Sequence, residues 1–212
     1  MLRVTVFSAL SLCVLPSLAA RPFDTDDAGT VSVAATELEL GSEFNASSGS
    51  FGVGLKHGLT PRLDIGLSMG HITWPDTARA WEGAVLGFKL NLVPDLLSVS
   101  FSNEFGSSLY SVNGIGSWQM GASGINVNLG GDFSSGEREE VFTWGVNPHH
   151  DLGAFTVGVE LTGTDDEPSL WRVGTQFQTT PRLGLDAGLG RTMQGGADWI
   201  ATLGVWVALT AP

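Results

Sequence analysis

Residues 155–162 read Phe155-Thr156-Val157-Gly158-Val159-Glu160-Leu161-Thr162. Apolar side chains fall at every second position, and the positions between carry Thr, Gly and Glu. A period of two is that of a β-strand with one greasy and one polar face. The pattern recurs outward in both directions. Leu38 and Leu40 alternate with Glu37 and Glu39; Leu63, Ile65, Leu67 and Met69 with Asp64, Gly66, Ser68 and Gly70. Leu86, Phe88 and Leu90 alternate with Gly87 and Lys89, Ile125, Val127 and Leu129 with Asn126 and Asn128, and Leu183, Leu185 and Leu189 with Gly184, Asp186 and Gly188. Trp199, Ala201, Leu203, Val205, Val207 and Leu209 continue it to the C-terminal end. No stretch of similar length shows a helical 3.6 period, so the chain is all-β.

Such strands build either a water-soluble barrel or sandwich, greasy side inward, or a membrane barrel, greasy side outward. Three features select the second. The polar face is mostly Gly, Ser, Asn and Thr, and only 15% of the chain is charged, whereas solvated surfaces run at about 25–35%. The strands are about ten residues long, the length that a tilted strand needs to cross a bilayer. Connections alternate between tight turns (58–62, 93–95, 179–182) and longer polar ones (75–80, 134–139, 163–168), as in membrane barrels with short periplasmic turns and longer outer loops. Keeping the two kinds in step requires a crossing over 110–120, where Tyr110, Val112, Trp118 and Met120 share one parity. The expectation is a transmembrane antiparallel up-and-down β-barrel of twelve strands, with ten as the alternative. Trp74, Trp81, Trp171 and Trp199 fall at the ends facing the longer loops, where amphipathic rings meet the headgroups.

Residues 1–20 read as a cleaved secretory leader: Arg3, an apolar run from Val4 to Leu15, then Pro16-Ser17-Leu18-Ala19-Ala20 before the cut. The run is too short to anchor the chain as a helix. The sole Cys, Cys13, lies inside it, which excludes a disulfide framework or a zinc finger in the mature chain. Residues 21–33 are expected as an N-terminal periplasmic segment and 34–212 as the barrel, in the cell outer membrane. With 10 Lys and Arg against 22 Asp and Glu, net −12, the chain is no nucleic-acid binder, since phosphate contacts need clustered bases.

By parity the lumen receives Glu37, Glu39, Glu43, Asp64, Glu104, Glu160 and Asp186 against Lys56, Lys89 and Arg172. The acid excess favours cations, as rings of one charge sign set selectivity; the competing reading pairs these groups as cross-braces, since buried charges must be paired. Inward glycines either hold a slim passage open or let the sheet curve. No catalytic constellation emerges. His71 has lipid-face parity near the outer rim but Ile72 and Thr73 follow it, with no Ser two residues on. His149-His150-Asp151 and the acidic clusters Asp24-Thr25-Asp26-Asp27 and Asp165-Asp166-Glu167 read as turns rather than metal sites. Neither a metal nor a cofactor is expected.

The segment Arg21-Pro22-Phe23-Asp24-Thr25-Asp26-Asp27-Ala28-Gly29-Thr30-Val31, with Glu37-Leu38-Glu39 shortly after, resembles the mature start of a bacterial family. Its members are described as meta-pathway phenol-degradation outer-membrane proteins. The turn Gly58-Leu59-Thr60-Pro61-Arg62-Leu63-Asp64 resembles a second feature of that family, echoed at 178–190. The resemblance implies an outer-membrane barrel that takes up small aromatic or other apolar compounds, and carries over no catalytic residue. Thr202-Leu203-Gly204-Val205-Trp206-Val207-Ala208-Leu209 reads as a signal to the barrel assembly machinery. The function expected is a passive channel or transporter for a small-molecule solute, set among outer-membrane lipid and lipopolysaccharide. The alternatives are a non-conducting structural or adhesin-like barrel and, behind it, a lipid-modifying enzyme.

Overall fold

A computed structural model describes residues 22–75, 79–134, 140–165, 167–193 and 198–210. Every regular element in it is a strand: β1 Thr36–Phe44, β2 Gly49–Thr60, β3 Leu63–Trp74, β4 Ala80–Trp81, β5 Val85–Val93, β6 Leu97–Glu104, β7 Leu109–Met120, β8 Ser123–Ser134, β9 Glu140–Asp151, β10 Phe155–Thr164, β11 Glu167–Thr180, β12 Leu183–Thr192 and β13 Trp199–Ala208. Apart from the two-residue β4, which pairs with β3 alone, each strand pairs antiparallel with its neighbours around the barrel, and β1 pairs β13 from Glu37↔Ala208 to Phe44↔Ala201, which closes the cylinder. Closure removes the unpaired edges that hydrocarbon cannot tolerate.

The two-residue β4 continues β5. Trp81 pairs with His71 while Val85 pairs with Ser68, so one crossing is interrupted over Glu82-Gly83-Ala84 with a one-residue slip. The barrel therefore has twelve crossings. The weakly patterned stretch 110–120 is one of them, in continuous register with β8 from Leu109↔Ser134 to Met120↔Ser123.

The greasy face looks outward. Leu67 is 48% exposed and Val159 49%, with Leu40, Phe88, Phe101, Leu129, Val173, Leu185 and Leu203 exposed likewise. In a molecule whose polar side chains are the buried ones, this belt faces acyl chains. Trp74, Trp81 and Trp199 stand exposed at the outer ends. Trp74 stacks on Phe44 at 5.5 Å and Trp171 meets Trp199 edge-on at 5.8 Å. At the other end the strands turn tightly after Thr60, Val93, Met120, Asp151 and Thr180. One expected outer loop is shorter than read: β10 ends at Thr164 and β11 begins at Glu167, so 163–168 is largely strand. The tips 76–78, 135–139 and 194–197 lie outside the described residues.

The N-terminal segment departs from its expected place. Residues 22–31 run inside the barrel, entering at the tight-turn end, where the exposed Val33 bridges Gly58. Pro22, Phe23, Thr25, Ala28 and Val31 are buried there. The Asp-rich stretch looks like a solvated tail because its partners lie far away in sequence.

Candidate functional site

The lumen is the site, and its walls are set by strand parity. Facing inward, Glu39 pairs with Gly54, Lys56 with Gly66, Asp64 with Lys89, Glu160 with Arg172, and Asp186 with Gly204. Glu39, Asp64, Lys89, Glu160, Arg172 and Asp186 are buried. Glu37, Glu43, Lys56 and Glu104 are half-buried. Glu104 folds over Gly83 beside the interrupted crossing, where an added Cβ would collide with its carboxylate.

All three lumen bases have carboxylate partners. Lys56 Nζ holds Glu39 Oε1 at 3.0 Å across β1 and β2, a brace within the wall. Lys89 Nζ instead reaches Asp26 Oδ2 of the N-terminal segment at 2.8 Å and the Asp27 carbonyl at 3.0 Å. Arg172, 1% exposed, serves both: its guanidinium meets Asp24 at 3.0 Å, Glu43 at 3.3 Å and Glu160 at 3.5 Å, and donates to the Pro22 carbonyl at 3.2 Å. A buried arginine fork surrounded by carboxylates is the arrangement that keeps such a charge tolerable. The cluster Asp24 to Asp27 is therefore an ion-paired plug segment, not a solvated turn.

Wall side chains also capture the segment's backbone. The amide of Thr25 donates to Glu160 Oε1 at 2.6 Å, Asp26 to Asn128 Oδ1 at 2.9 Å, Ala28 to Ser117 Oγ at 2.8 Å and Val31 to Asp64 Oδ2 at 3.0 Å. The carbonyl of Ala28 accepts from Ser98 Oγ at 2.5 Å and Asn91 Nδ2 at 3.3 Å. These contacts substitute for the ladder bonds that the segment lacks; a buried backbone needs partners of some kind.

Glycines make room for the segment. Gly158, Gly174 and Gly188 are cross-strand neighbours on β10, β11 and β12. A Cβ on Gly158 would lie 2.9 Å from the Phe23 ring, one on Gly174 2.6 Å from Pro22 Cβ, and one on Gly188 3.1 Å from the Pro22 carbonyl oxygen. The segment tip thus lies on a floor without side chains. Sequence reading left open whether inward glycines widen or curve the barrel; here they accommodate the plug.

Two cavities remain, one at each end. The one at the tight-turn end, about 530 Å³, is lined by Asp27, Glu37, Asp95, Asp151, His149 and Trp206 among others. The one at the opposite end, about 630 Å³, is lined by Asp24, Asp26, Glu43, Asp132, Lys56 and Arg172 together with Gly, Ser and Thr and with apolar residues such as Phe23, Leu170 and Ile200. Phe23, Thr25 and Glu39 line both. Carboxylates outnumber Lys and Arg in the lining at each end: the first cavity has no Lys or Arg, and the second only Lys56 and Arg172.

The histidines stand apart from this. His71 faces lipid, stacked on Phe51 at 5.3 Å and edge-on to Trp81 at 4.6 Å. His150 Nδ1 lies 2.8 Å from Ser123 Oγ and His57 Nδ1 2.8 Å from Thr36 Oγ1. Among the described residues no three His, Cys, Asp or Glu side chains come together as metal ligands. Asp165 Oδ1 accepts the Phe142 amide at 3.1 Å, and Asp166 lies outside the described residues. Sequence reading missed the wall partners Ser98, Ser117, Asn91 and Asn128. Their only signal was inward parity, shared with many residues that touch nothing in the plug.

No protein-family model and no curated protein matches the sequence. Solved structures do. The KdgM porin superposes with a TM-score of 0.64 at 12% identity, over 82% of this chain and 99% of that one. An outer-membrane channel from Pseudomonas putida F1 gives 0.64 at 14%, over 88% and 100%. The Ralstonia pickettii toluene transporter TbuX gives 0.56 at 9%, over 90% and 92%. The shared feature is the fold: this chain is built as outer-membrane β-barrel porins and channels are built.

Proposed function

We propose that the protein is a passive outer-membrane channel for small solutes, its bore narrowed by its own N-terminal segment. The observation that carries this is the pair of cavities of mixed polar and apolar lining, one at each end, with Phe23, Thr25 and Glu39 lining both. A barrel serving only as an anchor has no need of two charged vestibules that share lining residues across the lumen. The lining of hydroxyls, amides and carboxylates favours neutral polar or cationic solutes, and disfavours polyanions of the oligogalacturonate kind held by one KdgM structure. Small aromatic compounds are the second reading. The Phe23 ring lies against Gly158 and Gly174, and fold neighbours include a toluene transporter and a monoaromatic hydrocarbon channel. The resemblance of residues 21–31 to the phenol-degradation family supports the same second reading.

In this proposal the leader 1–20 is removed on export, the assembly machinery inserts the barrel, and the greasy belt lies in lipid and lipopolysaccharide. The test is single-channel conductance of the purified mature protein in planar bilayers, with liposome swelling for solute size and class. Steady openings and swelling by neutral and cationic solutes support the channel. Silent bilayers together with no swelling would leave the structural or adhesin-like barrel.

A further inference from the structure

Resting on that reading, we infer that the route through the barrel runs between the plug and the wall formed by β13, β1 and β2, and that Glu39, held by Lys56, is the residue that selects what passes. The hydrogen bonds and ion pairs of residues 22–31 described above fall on Asp64, Lys89, Asn91, Ser98, Ser117, Asn128, Glu160 and Arg172, on strands β3, β5 to β8, β10 and β11. Beyond its entry, where Val33 bridges Gly58 of β2, the segment is drawn against that side. Across from it the wall is recessed: Gly41 and Gly52 pair with each other, and Glu39 pairs with Gly54. Gly41, Gly52 and Gly54 all line the larger cavity. Glu39 is the single wall residue common to both cavities, facing Phe23 and Thr25 of the plug. Its Oε1 is taken by Lys56, while Oε2 has no hydrogen-bond partner among the described residues. Glu39 is itself buried, Oε2 included, so its carboxylate acts on a passing ion through its charge, from within the wall where the two cavities adjoin. A fixed charge at the narrowest place dominates selectivity, because an ion there is closest to it and least screened.

The experiment is the reversal potential of the full mature protein in a potassium chloride gradient across a planar bilayer. Glu39→Gln is expected to lower the potassium-over-chloride permeability ratio about twenty-five-fold, since one unit charge some 4 Å away in water favours the cation about fivefold and disfavours the anion about fivefold. Lys56→Gln is expected to raise the ratio, because Glu39 loses its counter-charge. Glu39→Cys supplies a thiol to a mature chain that has none, and a charged thiol reagent added from either side should cut the conductance. Retention of the compact form in unheated detergent gels shows that each variant is folded. Should Glu39→Gln unbalance the pair and fail that test, the swap Glu39→Lys with Lys56→Glu keeps the pair, and the ratio should fall while conductance persists. An unchanged ratio in a folded, conducting Glu39 variant overturns the inference and leaves the channel intact. A wild-type protein that never conducts overturns both.

Discussion

The backbone amide of Thr25 donates to Glu160 Oε1 at 2.6 Å, joining residues 135 positions apart in the middle of the barrel. Glu160 has no solvent exposure and faces Arg172 at 3.5 Å, so one carboxylate ties the plug to the arginine. Replacing Glu160 with Ala strips Arg172 of a buried partner and frees the Thr25 amide. Losing one member of a buried pair costs about 3–5 kcal/mol. The expected outcome is rapid amide exchange at 22–31 by hydrogen–deuterium exchange, with larger conductance. Protection equal to wild type would count against the tie.

Deleting residues 22–33 removes the plug while leaving β1 to β13 paired. The two cavities, about 530 and 630 Å³, then merge. Conductance should rise and the solute cut-off in liposome swelling should move upward. A deletion variant that folds yet conducts as wild type would show that the segment does not obstruct the lumen.

Gly174→Ala places a methyl 2.6 Å from Pro22 Cβ and 3.0 Å from the Phe23 ring. Both neighbours belong to the segment tip, so the tip should yield before the wall does. Faster exchange at 23–26 with an unchanged unfolding midpoint is expected, and a wall-wide loss of stability would contradict this.

Leu67 and Val159 project from the belt. Changing either to Arg should cost about 2–4 kcal/mol near the membrane midplane, measured by denaturant unfolding in lipid vesicles. Ser100→Arg, which points into the larger cavity, should cost far less and shift ion selectivity instead. Equal costs at the two faces would contradict the orientation of the sheet.

His71 touches Phe51 and Trp81, and its Nδ1 has no hydrogen-bond partner among the described residues. With no hydroxyl nucleophile bonded to it, His71→Ala should leave phospholipid turnover by the purified protein at background. Hydrolysis that falls with this change would revive the lipid-modifying reading.

The wall was legible in the sequence because a period of two is a local property. Leu38 to Phe44 or Phe155 to Leu161 declares its two faces without reference to anything distant, and turn lengths fix the direction of each crossing. Residues 110–120 could be placed by that alternation alone, despite weak patterning. The plug was not legible. Asp24, Asp26 and Thr25 carry no periodicity, and their partners Arg172, Lys89 and Glu160 are identified only once the cylinder has brought them to one level. The same holds for Glu39: parity put it inside with nine other charged residues, but only the plug's position made it the narrow point.

The break at Glu82-Gly83-Ala84 marks a waterline. Glu82 still donates to the Gly70 carbonyl at 2.9 Å and Ala84 accepts from the Phe105 amide at 2.7 Å, yet the regular ladder lapses between Trp81 and Val85. Backbone left outside a ladder is affordable only where water or headgroups can reach it. Acyl chains must therefore stop below this level on that side of the cylinder, and Trp81 rides above them like paint at the draught line of a hull.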